Sequence, residues 1–288
     1  MQTNNKKHIN MEYSKEFENL LKSTEENLIG WGNPNAKILV VGKESAIAKG
    51  KNSKADEQYE KEVIGNRDLW RKEELRMSQD DIVPYIFNES GSEILNYDKI
   101  TYNPLYPYKG QEFCVRRVKG KGENKIIIGK KGTSLTWYNY QRLCDLIREQ
   151  PIIKNKVNDF HKFFFTTELS DEAGMKSSDP DKLKRKKSIE NRKLFFKNDF
   201  FKSFPIIILA AGNYPERFGV NYTNFWGPTL DIETINDPCK GIYKIVYAKS
   251  ERRKLFIQTY QLSMVSENLI KTIADYCIRF RIDNNILI

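Results

Sequence analysis

The sequence predicts an α/β fold, a three-layer α/β/α sandwich around a central, mostly parallel four-stranded sheet. Four apolar runs, KILVVG at 37–42, KFFFTTEL at 162–169, PIIILAAG at 205–212 and KLFIQTYQ at 254–261, carry the first part of that prediction. They are continuous in apolar character instead of alternating, as strands buried on both faces are. Helical segments separate each run from the next, the pattern of a parallel sheet covered by helices. At 288 residues the chain is long enough for one large core, so 1–288 reads as a single domain with an insertion at about 46–131.

The elements follow in order. SKEFENLLKSTEENLI at 14–29 places Phe17, Leu20, Leu21 and Leu28 at helical spacing, and GWGNPNA then breaks the period. The first strand follows at 37–42. The insertion is polar, Gly- and Lys-rich and partly helical at 54–77. After Thr133 and Ser134, TWYNYQRLCDLIREQ turns Trp137, Tyr140, Leu143 and Ile147 to one face and stops at Pro151. RKLFFKNDFF gives a further amphipathic helix, and IYKIVY at 242–247 an extra strand. SENLIKTIADYCIRFR closes the chain, with Ser266 as N-cap and Leu269, Ile270, Ile273, Ala274, Cys277 and Phe280 as its apolar stripe.

Bulk properties narrow the function classes. No stretch of 18 or more apolar residues occurs and the N-terminus lacks the apolar centre of a signal peptide, so a soluble, cytoplasmic, monomeric protein with no membrane partner is expected. Cys114, Cys144, Cys239 and Cys277 are far apart and only His8 and His161 could assist them, so neither a metal site nor a disulfide framework is indicated, and no cofactor is expected. The net charge of +10 favours a polyanionic partner. The basic residues cluster at 116–131 and in KLKRKKSIENRK at 182–193, where Lys184, Arg185, Lys186 and Lys187 either contact nucleic acid or form a solvated helix face. NPLYPYKG at 103–110 interleaves aromatics with Pro and Lys, either as a base-stacking surface or as a packed loop.

Ligands of open parallel sheets bind beyond the carboxyl ends of the strands. The first run exits into Gly42, Lys43, Glu44 and Ser45, the second into Glu168, the third into Gly212 and Asn213, and the last into Gln261, Leu262 and Ser263. Glu44 either accepts main-chain N–H bonds at a helix start or acts on a substrate, and Glu168 either pairs with a basic residue or faces the ligand. Ser263 either helps start the last helix or lines the site. The Gln261 amide, with both donors and acceptors, suits reading a ligand or bracing a loop.

The ordered set GNPNAKILVVGKES, FFFTTEL, PIIILAAG and IQTYQLS resembles the uracil-DNA glycosylase superfamily over about residues 31–280, with 46–131 the least alignable. The resemblance implies that Glu44 occupies the place of the water-activating aspartate, Glu168 that of an Asn that reads the base edge, and Gln261, Leu262 and Ser263 that of a His-Pro-Ser motif. Gly42, Lys43, Ser45, Glu168, Asn213 and Ser263 then line the substrate, with Glu44 and Gln261 catalytic. Ser45 stands where the family has Pro, and no cysteine pair flanks the first strand to hold the iron–sulfur cluster of some branches. An ionised Glu168 only accepts hydrogen bonds, which would favour base edges that present amino groups.

The expected function is hydrolysis of the N-glycosidic bond of a damaged or mismatched base in single- or double-stranded DNA, with base flipping. Two other readings stay open: a nucleic-acid-binding module that kept the fold without the chemistry, and a hydrolase of free nucleosides.

Overall fold

The structure is a computed structural model. It describes residues 12–47, 49–51, 53–72, 103–107, 115–118, 125–128, 135–151, 159–174, 181–229, 231–250, 253–263 and 265–288. Thr133, Ser134, Tyr108 and most of the 116–131 basic run lie outside them, as do residues 73–77 of the expected insertion helix.

All four apolar runs form strands, β2 (Ile38–Gly42), β5 (Phe164–Glu168), β6 (Ile206–Ala210) and β9 (Lys254–Thr259). They are mutually parallel and lie side by side in the order β5, β2, β6, β9. The sheet is larger than the expected four strands. It has seven, because β1 (Trp31–Gly32) pairs antiparallel with β5, while β8 (Ile242–Ala248) and β7 (Ile232–Ile235) extend the other side antiparallel. The expected extra strand at 242–247 is β8. The edge strands were missed for a physical reason: β1 is two residues long, and β7 is largely exposed and shows no apolar run. A separate hairpin joins β3 (Val115–Val118) to β4 (Lys125–Ile128) inside the insertion.

The pleat divides the core. Leu39, Val41, Ile207 and Leu209 point to one face, against Phe17, Leu20 and Leu21 of α1 (Lys15–Ser23), Ile189 of α5 (Lys182–Phe195) and Phe200 of α6 (Asp199–Lys202). Ile38, Val40, Ile206 and Ile208 point to the other, against Tyr140, Leu143 and Ile147 of α4 (Leu135–Ile147) and Leu269, Ile270 and Ile273 of α9 (Glu267–Asp283). Alternation of side chains on a strand sends consecutive residues to opposite faces, so an all-apolar strand needs helices on both sides.

Helix limits follow capping and tertiary bonds. Ser14 caps α1 by accepting from the Phe17 N–H at 3.2 Å. The helix ends at Ser23, short of the expected residue 29, although TEENL favours helix. Downstream, Asn66 Oδ1 accepts from the N–H groups of Ile29 (2.9 Å) and Gly30 (3.1 Å) and the Leu28 carbonyl accepts from Arg192 at 2.7 Å, bonds that a continued helix would forbid. Asn66 and Trp70 belong to α3 (Asn66–Arg71), which follows α2 (Ser53–Tyr59) and a π-helical stretch at Glu60–Ile64. This part of the insertion is docked into the core: Trp70 stacks edge-on to Phe17 and donates to the Gly30 carbonyl at 2.8 Å. The 103–107 loop is also packed down. Leu105 and Tyr106 are buried, so this part of the proposed base-stacking loop faces the core.

Among the described residues, no helix is long and apolar enough to cross a membrane.

Candidate functional site

The carboxyl ends of β2, β5, β6 and β9 lie together, and main-chain bonds continue beyond the strands to fix the first two loops. Leu169 N–H donates to the Gly42 carbonyl (2.9 Å), Ser170 N–H to Lys43 (2.9 Å) and Gly174 N–H to Ser45 (3.0 Å). Gly42 and Glu168 are register partners in β2 and β5. Ser45 thus contributes its carbonyl to bracing, while its side chain stays partly exposed.

Glu44 is buried between α5 and the loop after β6. Its Oε1 accepts from the Tyr214 hydroxyl at 3.1 Å and lies 3.9 Å from the Arg185 guanidinium. Its Oε2 is sealed from solvent without a hydrogen-bond partner. Burial pushes the pKa of this carboxyl up, and Arg185, the Tyr214 bond and Lys43 oppose the rise by favouring the anion. The expectation that Glu44 serves a helix N-terminus is not met: its partners are side chains from other elements.

Glu168 ends β5 with its carboxyl directly over Gly42. A methyl group at residue 42 would collide with Oε2 of Glu168, so only glycine leaves the space. That oxygen is also buried and without a hydrogen-bond partner. Burial first, and the neighbouring Glu44 charge second, push the Glu168 carboxyl up to about 8, against the pull of Arg192. Arg192 itself is fully buried and spends its guanidinium elsewhere. It donates to the carbonyls of Glu168 (2.7 Å) and Leu28 (2.7 Å) and to Thr167 Oγ1 (2.8 Å), and it lies 3.7 Å from Glu26. Among the described residues, no basic side chain therefore neutralises the Glu168 carboxylate by direct pairing. At neutral pH the group is a carboxylic acid, which donates one hydrogen bond and accepts others. The acceptor-only reading made from the sequence applies to the ionised form, which this upward shift disfavours. On the α4 side, Glu168 comes near enough for its charge to add to burial in raising the Tyr140 phenol.

The loops after β6 and β9 close the arrangement. Gly212 has φ +63°, a left-handed conformation that favours glycine, and the Lys43 side chain lies across it. A methyl group there would stand 3.2 Å from Lys43 Cε and 3.4 Å from Nζ, with the Gln261 main-chain nitrogen 4.0 Å away. The link from Gln261 to Glu44 therefore runs through Lys43, the Gly212 turn and Tyr214, which starts α7 (Tyr214–Phe218). Asn213 is exposed beside it and makes no capping bond. Gln261 and Ser263 are partly exposed, while Leu262 is buried and its carbonyl accepts from the Asn139 amide of α4 at 2.9 Å. Ser266 caps α9 by accepting from Leu269 N–H, so Ser263 is free of that task.

Of the basic run on α5, Lys184, Lys186 and Lys187 are exposed, as a polyanion contact requires. Arg185 is not: it is 3 % exposed and turned onto Glu44 and the Tyr214 ring, which corrects its assignment to the nucleic-acid surface. Arg185, Ser188, Ile189 and Arg192 are all buried at i, i+3, i+4 and i+7. That spacing is visible in the sequence and marks an inward stripe, which the density of charge conceals. Asn139 gave no comparable signal, since its role depends on α4 meeting a loop far away in the chain; Tyr140 was on the inward face by spacing, but its nearness to Glu168 was not visible there.

Among the described residues, no group of three or more His, Cys, Asp or Glu side chains is placed to hold a metal ion. No protein-family model, curated protein or solved structure matches the chain.

Proposed function

We propose that the protein hydrolyses the N-glycosidic bond of a base extruded from DNA, as a divergent uracil-DNA glycosylase-like enzyme. One observation carries the reading: two carboxyl groups, Glu44 and Glu168, sit within electrostatic reach at the carboxyl ends of four parallel strands, each with a buried oxygen lacking a partner. Burial raises both, and their neighbours then differ. Arg185, Tyr214 and Lys43 oppose the rise at Glu44, whereas the Glu44 charge adds to burial at Glu168 and Arg192 opposes it, so that Glu168 reaches about 8. Such separation is how one site obtains a carboxylate and a carboxylic acid at the same pH.

In this mechanism the Glu44 carboxylate orients water toward C1′ and offsets the positive charge of the oxocarbenium-like transition state. The Glu168 acid meets a base edge that presents an acceptor beside a donor, as the amide it replaces in the resemblance would. Gln261 and neighbouring main-chain N–H groups hold the departing base as negative charge grows on it. Lys184, Lys186 and Lys187 supply phosphate contacts, which are sequence-independent and weaken with salt.

The test is a panel of duplex and single-stranded substrates carrying uracil, deaminated purines, alkylated bases and mismatches. Abasic sites should form on at least one and vanish with Glu44→Gln. If none forms while salt-sensitive binding survives Glu44→Gln, the protein is a binding module. Release of base from mononucleosides alone would instead place it among nucleoside hydrolases.

A further inference from the structure

Lys43 brings an amine to the centre of the site, and its setting is not that of a phosphate-binding lysine. Its stem runs over the Gly212 backbone, and Nζ rests 4.8 Å from the centroid of the Tyr214 ring. Among the described residues, Nζ forms neither a hydrogen bond nor an ion pair, although Glu44 is the next residue in the chain. Glu44 is instead held by Tyr214 and Arg185. A half-buried amine with no hydrogen-bonded counter-ion, beside a carboxylate with a free oxygen, is the pairing that covalent carbonyl chemistry needs.

We propose that Lys43 forms an imine with the sugar aldehyde of an abasic site and so gives the protein a strand-cleaving lyase activity. Loss of a base leaves a deoxyribose that opens to an aldehyde at C1′. The lone pair of Nζ forms a bond to C1′, and a proton moves from Nζ to the carbonyl oxygen. A second proton, taken from solvent, lets that oxygen leave as water, giving a protonated imine. Glu44 takes a proton from C2′ through its unpartnered Oε2; the C2′–H electrons form the C2′–C3′ double bond, and the C3′–O bond breaks with its electrons leaving on the phosphate. Water hydrolyses the imine, returning Lys43 and releasing an unsaturated aldehyde. No oxidant or reductant enters.

Among the described residues, Glu44, Arg185 and Tyr214 act on Nζ. Burial and the Arg185 guanidinium favour the neutral amine, and the Glu44 carboxylate opposes them, with the balance below the usual lysine value. The Tyr214 ring lies on one side of the amine and the main chain at Gly212 on another, in the loops that follow β2 and β6.

The inference extends the reading above, since an abasic sugar is the product of that reaction, but its test does not depend on it. The full chain is incubated with a duplex carrying a preformed abasic site in the presence of sodium borohydride, which reduces an imine to a stable amine. A covalent protein–DNA adduct should form, peptide mass spectrometry should place it on Lys43, and Lys43→Met and Lys43→Arg should both lose it while keeping the wild-type melting temperature. A tetrahydrofuran analogue, which has no aldehyde, should give none. Without borohydride the strand should be cut 3′ to the site, and Glu44→Gln should keep the adduct while losing the cut. An absent adduct, one mapped to another lysine, or one undiminished in both Lys43 variants overturns the proposal. Base release from intact substrates is scored separately, so an adduct without base release sinks only the glycosylase reading, and base release without an adduct sinks only this one.

Discussion

Glu168→Gln replaces a carboxyl that titrates at about 8 in the folded chain with an amide of nearly the same shape that does not titrate. The same carboxyl in the unfolded chain releases its proton near 4.5. Between these values the folded state holds a proton that the unfolded state has lost. Stability from this group is therefore complete below about pH 4.5 and declines as the pH rises toward about 8. At about 1.4 kcal/mol per pH unit the full gap amounts to about 5 kcal/mol, and partial exposure of the residue brings the expected effect to about 2–4 kcal/mol by solvent screening. The Gln variant is free of this decline. Its stability relative to the wild type should thus grow from near zero at the acid end to about 2–4 kcal/mol in its favour at the alkaline end. Urea unfolding followed by circular dichroism across that range measures the difference, and titrating groups remote from Glu168 cancel between the two proteins. A difference that stays constant with pH would show that Glu168 ionises normally and would remove the neutral acid from the site.

Arg192→Met should destabilise the fold by about 3–5 kcal/mol, because the carbonyls of Leu28 and Glu168, Thr167 and Glu26 lose a buried cation together; thermal unfolding checks it, and a loss under 1 kcal/mol, at the exposed-pair scale, contradicts it. Asn139→Ala should cost about 1–2 kcal/mol by orphaning the Leu262 carbonyl. Amide exchange at residues 260–263 should quicken more than exchange in α9, and uniform quickening would mean that the bond does not hold this loop. Replacing Lys184, Lys186 and Lys187 together with Ala should flatten the dependence of log affinity on log salt by up to about 3 for a short duplex. An unchanged slope would move the phosphate contacts elsewhere.

The parallel strands were legible because a strand covered on both faces admits few polar residues; PIIILAAG and KILVVG have no other good reading in an α/β chain. The C-terminal helix and its Ser266 cap were legible for a similar reason, since the cap and the stripe are local. The edge strands were not. Four residues of IETI with an exposed face draw their conformation from pairing with β8, not from their own composition. In the site, the strand exits announced Glu44, Glu168 and Gln261 by position alone. What they could not announce was charge state: the acidity of Glu168 depends on the absence of a side chain at Gly42 and on Arg192 turning its donors to carbonyls. Arg185 was misplaced on the outer surface because seven basic residues at 182–193 read as a solvated face, although helical spacing from 185 to 192 pointed inward.

The main-chain bonds that carry β2 and β5 past their last residues have an entropic consequence. Bonds from Leu169, Ser170 and Gly174 back to Gly42, Lys43 and Ser45 leave the segment bearing Glu44 few alternative shapes to give up when a ligand arrives. Binding free energy at this edge is then not consumed in stiffening the protein, and reorganisation falls on the ligand, which meets a surface already set. Calorimetry with the proposed DNA substrate would register this as a heat-capacity change no larger than the contact area demands, with the ordering penalty on the ligand's side.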